Sequence, residues 1–410
     1  MPKQRKSWNI PLLYLCLHFA GLAKAAPEAQ AASTSVARTQ ESIRAFLVSG
    51  KPTPLDGLTS YGKREAIRQM KWRDDVLVGF GTTSFVRELD RKQLVSVLRF
   101  LDAECYLPML EKRLIGPPLH LPAPSTEAER NFRELQQFAE DDDERHSIAT
   151  GSSTPVGAPG VLQRYQELFG NRLSPGTLAT QPLGDLLLLF DAAVLAGNRN
   201  PNSRTVDDLL AIHHEFTTRG IDTRRGLDDS VLYAMLSARR FEQARAFVAV
   251  KPHLKGQPIP QVEDSLGPAF EGRSAFTYDA ARNTLTRIAL PTTPGNEIVI
   301  VVGSGCHNSD NALQAIQNDS ALQIRLRRAN LVFITTPTAP VDMQLLTRWN
   351  AVNPAMPVHT PYSAQEWKAI EVTGIPSFYL LKNGEVVDQV IGWSSQGKAE
   401  LIKLIDAAAP

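Results

Sequence analysis

Apolar residues recur at helical spacing through most of the first 250 residues of the chain. The pattern predicts an opening helix from residue 42 and further helices over residues 63–72, 91–114, 131–145, 162–169, 183–196, 206–219 and 230–250. Within residues 91–114, Leu94, Leu98, Leu101 and Cys105 recur at i, i+4, i+7 and i+11, which places them on one apolar face. The spacing therefore predicts that Cys105 is a core residue.

Loop-forming residues divide this helical region. Residues 117–124 hold four prolines, and residues 147–160 are rich in Gly, Ser, Thr and Pro. We predict a flexible leader over residues 26–41, helical subdomains over 42–145 and 161–250, and linkers over 146–160 and 251–273. Residues 232–252 resemble the helical hairpin of a tetratricopeptide repeat, so the second subdomain is either a repeat-like surface for protein binding or a plain packing array.

The pattern changes after residue 273. Residues 276–278 and 284–290 predict short strands, and the unbroken apolar run at 298–302 is typical of a strand buried on both faces of a sheet. The rest predicts helices over 310–317, 341–350, 363–370 and 396–407, a strand over 331–335, and a hairpin of strands 377–381 and 386–391 joined through an Asn-Gly turn. We predict an α-helical N-terminal region followed by an α/β domain over residues 274–410, with a central mixed sheet flanked by helices.

Residues 1–25 have the features of a secretory signal peptide. Lys3, Arg5 and Lys6 precede an apolar stretch over residues 10–22, and Ala23 and Ala25 form a small-x-small cleavage site. The apolar stretch is shorter than the roughly 20 residues that a membrane-spanning helix needs. We expect an exported protein that is soluble after signal removal, periplasmic if the source is a Gram-negative bacterium and otherwise secreted.

The charge composition of the chain disfavours nucleic acid and anionic lipid as ligands. The chain has 44 Lys and Arg against 43 Asp and Glu, so it carries no basic surplus for nucleic acid or anionic lipid. His213 and His214 are adjacent on a predicted helix, so their side chains point about 100° apart and do not face one metal ion together. We expect no nucleic acid, no membrane contact, no metal and no cofactor; the oligomeric state stays open.

Removal of the signal leaves two cysteines, Cys105 and Cys306. Two are too few for a disulfide framework in an oxidising compartment. Cys306 falls at the predicted N-terminus of a helix, where unpaired amide N–H groups and the helix dipole stabilise a thiolate, the reactive form of the side chain. We therefore expect Cys306 to be a nucleophile.

The C-terminal domain resembles the thioredoxin superfamily. The run Cys-His-Asn-Ser at residues 306–309 stands where the family has Cys-x-x-Cys, and Gly-Ile-Pro at residues 374–376 stands where it has its cis-proline. The predicted order of strands and helices is also similar. The resemblance implies that Gly374, Ile375 and Pro376 bind the backbone of a substrate beside the cysteine, and that the bond between Ile375 and Pro376 is cis.

The sequence departs from the family pattern in ways that limit its chemistry. Ser309 occupies the position of the resolving cysteine, Gly305 that of the usual tryptophan, and Ile300 that of a buried carboxylate. The longer chain between Cys306 and Pro376 suggests an inserted helix, as in exported thioredoxin-like reductases of the cytochrome-maturation kind. A dithiol cycle within the motif is therefore excluded.

A monothiol reaction is the favoured interpretation. Cys306 would exchange with a disulfide of a protein partner or thiol substrate, while a charged His307 and a hydrogen bond from Ser309 would stabilise the thiolate. The helical region would bind or orient the partner. The alternative is a non-catalytic adaptor, and a third hypothesis is a Cys105–Cys306 disulfide between the domains, which the predicted burial of Cys105 disfavours.

Overall fold

The computed structural model describes residues 39–73, 76–150, 159–201, 203–256, 258–303, 306–372 and 374–408. The predicted signal peptide and most of the predicted leader lie outside these residues. None of the helices within these ranges combines the length and the apolar composition needed to cross a membrane.

The N-terminal region consists mainly of α-helices. These are α1 (Gln40–Val48), α2 (Ser60–Arg68), α3 (Thr83–Glu88), α4 (Arg91–Phe100), α5 (Leu107–Glu111), α6 (Thr126–Thr150), α7 (Pro159–Phe169), α8 (Pro175–Leu178), α9 (Leu183–Arg199), α10 (Ser203–Thr218), α11 (Leu227–Ser237) and α12 (Phe241–Ala249). A short antiparallel pair, β1 (Lys71–Arg73) and β2 (Val76–Gly79), follows α2. The prediction of a helix through residue 72 was therefore wrong at its end, because Trp72 pairs with Leu77 across this hairpin.

The helices bury two apolar clusters. The first lies among α1 to α5 and includes the fully buried Phe85, Leu94 and Leu98. The second lies among α6 to α12 and continues to Phe276 and Leu285 of the C-terminal region. A bidentate ion pair between Arg87 on α3 and Asp191 on α9, with N–O distances of 2.7 and 2.6 Å, connects the two. The clusters therefore belong to one connected helical region.

The prediction that Cys105 is a core residue is wrong, because its side chain is exposed. The predicted helix over residues 91–114 ends at Phe100, where Asp102 has a φ of +54° and the Ala103 N–H bonds the Leu98 carbonyl. A separate short helix, α5, then begins with Pro108 in its first turn, where the missing N–H of proline is tolerated. The break rotates Cys105 away from the stripe that Leu94 and Leu98 continue to fill.

The C-terminal region is built around one mixed sheet. Its strands are β3 (Gln261–Asp264), β4 (Ser274–Asp279), β5 (Thr284–Ala289), β6 (Asn296–Val302), β7 (Leu331–Thr335), β8 (Val358–Pro361), β9 (Ser377–Lys382) and β10 (Glu385–Ile391), in the spatial order β10-β9-β6-β7-β8-β4-β5-β3. Strands β6, β7 and β8 are parallel, while β9 runs antiparallel to β6. Strand β3 lies in the segment predicted as a linker and pairs with β5.

Four helices flank this sheet: α13 (His307–Gln317), α14 (Ser320–Arg328), α15 (Met343–Val352) and α16 (Gly397–Ala408). The sequence of strand, helix, parallel strand, helix, antiparallel hairpin and final helix is the thioredoxin-like arrangement that the sequence predicts. The fold class is therefore confirmed. The predicted helix over residues 363–370 is reduced to a 3₁₀ turn at Ala364–Trp367, whose Glu366 and Trp367 bond the backbone of Ser274.

The helical region contacts the C-terminal domain directly. The Phe241 ring on α12 packs edge-on against Phe276 on β4, with centroids 5.9 Å apart. Arg239, between α11 and α12, donates to the carbonyl oxygens of Ala339 (2.6 Å) and Pro361 (3.3 Å). Because residues 336–342 follow β7 and Pro361 ends β8, these contacts lie at the edge formed by the carboxyl ends of the parallel strands.

Candidate active site

Cys306 lies at the same edge, just beyond the carboxyl end of β6. The strand is an apolar run buried on both faces, and it ends at Val302. Cys306 is the N-cap of α13, with an extended backbone (φ −102°, ψ 111°), and its carbonyl accepts a hydrogen bond from the Asp310 N–H at 3.0 Å. The partly buried sulfur therefore sits at the N-terminal end of a helix, as the sequence predicts.

The proline loop approaches this sulfur from β9. The peptide bond between Ile375 and Pro376 is cis, as predicted. The Cys306 thiol donates to the carbonyl oxygen of Ile375 at an S–O distance of 3.2 Å. The structure thus brings together Cys306 and the three predicted loop residues, among which Gly374 and Pro376 are buried and Ile375 is partly exposed.

Several backbone contacts hold the loop in place. The Ser377 hydroxyl donates to the Gly374 carbonyl, and the Gly392 N–H donates to the Pro376 carbonyl at 2.7 Å. On the approach to the loop, the buried Tyr379 donates its hydroxyl to the Glu371 carbonyl at 2.8 Å. Burial raises the pKa of Tyr379, so this hydroxyl keeps its proton and its hydrogen bond at neutral pH.

Gly303 is a site residue that the sequence reasoning missed. A Cβ at this position would lie 2.8 Å from the Ile375 Cδ1 atom, closer than two carbons approach without displacement. The glycine between β6 and Cys306 therefore lets the proline loop come close to the strand end. Its position directly after a buried strand was the only signal in the sequence.

The other motif residues occupy different environments. His307 and Asn308 are exposed, while Ser309 is fully buried. Among the described residues, the Ser309 hydroxyl has no hydrogen-bond partner, and the sulfur bonds Ile375 rather than His307 or Ser309. A buried hydroxyl without a partner, in the first turn of the helix that Cys306 caps, is available to a thiolate at that end.

The core beneath the cysteine is apolar. Ile300, at the position where the family often has a carboxylate, is fully buried between Phe333 on β7 and Phe378 on β9. Among the residues that the structure describes, no group of three or more His, Cys, Asp or Glu side chains is arranged to hold a metal ion.

Comparison with known proteins adds only weak likenesses. No protein-family model matches the chain, and neither does any curated protein. StoA from Bacillus subtilis is similar over 33% of this chain and 99% of its own, at 16% identity and a TM-score of 0.24. The N-terminal domain of PilB from N. meningitidis covers 28% of this chain and 83% of its own, at 20% identity and a TM-score of 0.21.

A thioredoxin-like protein from Bacteroides caccae covers more of the chain. It is similar over 71% of this chain and 99% of its own, at 13% identity and a TM-score of 0.23. The assignment of the fold rests on the strand order and connections described above rather than on these likenesses.

Proposed function

We propose that this chain is an exported monothiol protein that exchanges disulfides with a protein partner through Cys306. One observation carries the proposal: the Cys306 sulfur lies at a helix N-terminus and contacts the carbonyl of Ile375, the residue before a cis-proline. The sulfur lies at a helix end where backbone N–H groups have no partner within the helix, and the loop offers backbone groups beside it to an incoming peptide.

The reaction needs one nucleophile and two exchange steps. The Cys306 thiol first gives its proton to solvent, and the thiolate attacks one sulfur of a substrate disulfide. A bond forms between the Cys306 sulfur and that sulfur, while the substrate S–S bond breaks and the second sulfur leaves as a thiolate. An external thiol then attacks the mixed disulfide as its thiolate, takes the substrate sulfur into a new disulfide and releases Cys306.

Ser309 gives the proposal its monothiol character. A second cysteine one helical turn after the first would attack the mixed disulfide from within the protein, whereas a hydroxyl does not exchange with disulfides. The buried Ser309 hydroxyl would instead donate to the thiolate, and the exposed His307 would add positive charge when protonated. The mixed disulfide is therefore expected to persist until an external thiol arrives.

The helical region is proposed to help select the partner. Its contacts through Arg239 lie at the carboxyl ends of β7 and β8, and Cys306 follows the carboxyl end of β6 in the same row of parallel strands. A protein that reaches Cys306 would therefore pass close to α11 and α12. The resemblance of these two helices to a tetratricopeptide hairpin is part of this proposal.

The proposal is tested by trapping partners in intact cells. Cells producing the wild-type chain are quenched with acid, thiols are blocked, and Cys306-linked adducts are resolved without reductant. We expect discrete adducts that reductant releases, that disappear in Cys306→Ser, and that persist in Cys105→Ser.

Two outcomes would overturn the proposed chemistry. Adducts that survive in Cys306→Ser, or the absence of adducts although the protein is folded and exported, would exclude exchange at this thiol. Partners that co-purify equally with wild type and Cys306→Ser, without a covalent adduct, would support the adaptor alternative instead.

Export is tested separately. We expect the protein purified from its own host to begin at Ala26 or Pro27, because the small-x-small motif directs cleavage after Ala25 or Ala26. An intact N-terminus at Met1 in the cytoplasmic fraction would contradict export.

A further inference from the structure

A cavity lies at the end of the parallel strands opposite to Cys306. Strand β8 pairs with β7 only at Phe333–Val358 and Ile334–His359. The residues before these pairs, Leu331 and Val332 at the start of β7 and residues 355–357 ahead of β8, line a cavity of about 290 Å³. We call this space the fork cavity.

His359 provides a buried polar group in the fork cavity. Its side chain lines the space, only 9% of the residue is exposed, and its Nδ1 atom has no hydrogen-bond partner among the described residues. Burial lowers the pKa of His359 to about 4, so the ring is neutral at pH 7. A buried ring nitrogen without a partner is costly, which makes a ligand that bonds it favourable.

Arg327 provides the charge. It belongs to the last turn of α14, lines the same cavity and is exposed to solvent. Its neighbour Arg325 pairs with Asp406, but no ion pair to Arg327 is present among the residues that the structure describes. No residue lining the cavity is acidic, and most of the others, including Leu290 and Met356, are apolar.

We propose that the fork cavity binds a small carboxylic acid with an apolar body. The carboxylate would pair with Arg327 in a bidentate manner and the apolar body would contact Val332 and Met356, while His359 would bond a polar atom of the ligand. A single guanidinium beside a neutral imidazole matches one negative charge. A phosphate carries up to two negative charges at pH 7, more than one guanidinium matches.

The fork cavity is separate from the thiol site. It lies near the amino ends of β7 and β8, whereas Cys306 lies beyond the carboxyl end of β6. The proposal therefore does not depend on the reactivity of Cys306. Binding there would stabilise the paired arrangement of β7 and β8, since a ligand that binds only the folded state raises its stability.

The test uses the mature chain and three aromatic probes of similar size but different charge. Calorimetric titration with benzoate, benzamide and benzylamine separates charge recognition from apolar contact. We expect benzoate to bind with a Kd of about 1 mM, a strength typical of a ligand this small, and the neutral and cationic probes to bind at least about tenfold more weakly.

Matched variants locate the site. Arg327→Gln should weaken benzoate at least about tenfold, because it removes the charge from an exposed position without touching the core. Arg328→Gln, an exposed neighbour on the same helix that does not line the cavity, and Cys306→Ser should bind benzoate like wild type. In NMR spectra, only the imidazole signals of His359 among the histidines should move with benzoate.

Three results would overturn the proposal. The first is no heat of binding up to about 20 mM benzoate, a concentration well above the expected Kd. The others are equal binding of benzoate and benzamide, and equal weakening of benzoate binding by Arg327→Gln and Arg328→Gln.

Discussion

The sulfur of Cys306 lies 3.2 Å from the carbonyl oxygen of Ile375, a residue 69 positions later in the chain. This contact joins the end of β6 to the start of β9, two strands that are neighbours in the sheet. It means that the thiol and the backbone it faces are positioned by the packing of the sheet rather than by the local motif.

The two cysteines should differ in function although both are accessible. Because Cys105 is exposed, a small alkylating reagent should modify it in the native protein. Cys105→Ser should nevertheless keep the full rate of mixed-disulfide formation with glutathione disulfide, and Cys306→Ser should lose it. The adduct is measured by intact-protein mass. Loss of exchange in Cys105→Ser would show that Cys105 is needed for the reaction and would contradict its assignment to Cys306 alone.

Ser309→Cys should convert the site into a dithiol. Ser309 is buried and lies three residues after Cys306, the N-cap of α13, a spacing that places the two side chains on the same side of the first helical turn. Mild oxidation should remove two thiols from Cys105→Ser/Ser309→Cys with a mass loss of two hydrogens. The control, Cys105→Ser, should keep its single thiol; a folded variant that keeps both thiols would contradict the motif geometry.

Gly303→Ala should disturb the proline loop. Its new Cβ would lie 2.8 Å from Ile375 Cδ1, so the Ile375 side chain must move, at a cost of about 1 kcal/mol in unfolding free energy. Exchange at Cys306 should slow because the loop shifts with it. Adding Ile375→Ala should restore part of both losses, because it removes the clashing atom.

Urea unfolding and exchange rates of the four proteins form a double-mutant cycle. Additive effects of Gly303→Ala and Ile375→Ala would mean that the two positions do not contact each other.

The buried Asp228 should make stability depend on pH. Burial by itself raises the pKa of Asp228, but hydrogen bonds from His213, Lys251 and Thr223 outweigh it and hold the pKa at about 2, below the ordinary 3.8. Its Oδ1 atom lies 2.6 Å from His213 Nε2 and 2.9 Å from Lys251 Nζ. The ionised carboxylate therefore stabilises the fold above pH 3.8, and this contribution is lost as the pH falls towards 2.

Asp228→Asn should lower the free energy of unfolding at pH 7 by about 3 kcal/mol, since it leaves the partly buried ammonium of Lys251 without its counter-charge. The difference from wild type should shrink between pH 4 and pH 2. Asp222→Asn, at a neighbouring carboxylate whose partner Arg224 is exposed, serves as the control and should cost well under about 1 kcal/mol. A constant difference across this pH range would argue against the ionised pair.

Arg239 should hold the helical region against the thiol domain. Its guanidinium bonds carbonyl oxygens beyond β7 and at the last residue of β8, and burial lowers the pKa of Arg239 to about 10, so the side chain stays charged at neutral pH. Arg239→Met should cost about 2 kcal/mol by leaving those carbonyls unpaired. Hydrogen exchange should accelerate in residues 336–342 while the core of β6 stays protected; unchanged exchange in that loop would exclude the role.

Much of the fold was predictable from the sequence because its strands and helices are locally consistent. The apolar run at residues 298–302 became β6, the run at 331–335 became β7, and the Asn-Gly turn joins β9 to β10. These segments carry a strong local pattern that suits the environment they occupy. The same holds for Cys306, since the change from apolar strand to polar turn marked a helix N-terminus.

Elements with weak local patterns could not be predicted. Strand β8 contains a histidine, a threonine and a proline, and it is a strand only because β7 and β4 pair with its two ends. Cys105 fits a helical stripe by spacing, yet the positive φ at Asp102 ends the helix first. The helical spacing of apolar residues continues past Asp102 in the sequence, although the chain turns there in the structure.

The sequence by itself determined the identities that matter for chemistry: a lone thiol in the motif, a serine three residues later and a proline that could form a cis bond. Only the tertiary structure decided which atoms meet. Packing brings Gly303 close to Ile375 and places Arg239 at the edge of the sheet near Cys306, although these residues are far apart in the chain. Packing also buries Ser309. Local sequence specifies the conformation of each segment, whereas these distances depend on how whole segments pack. Ordering the chain costs conformational entropy, and only the complete core offsets that cost.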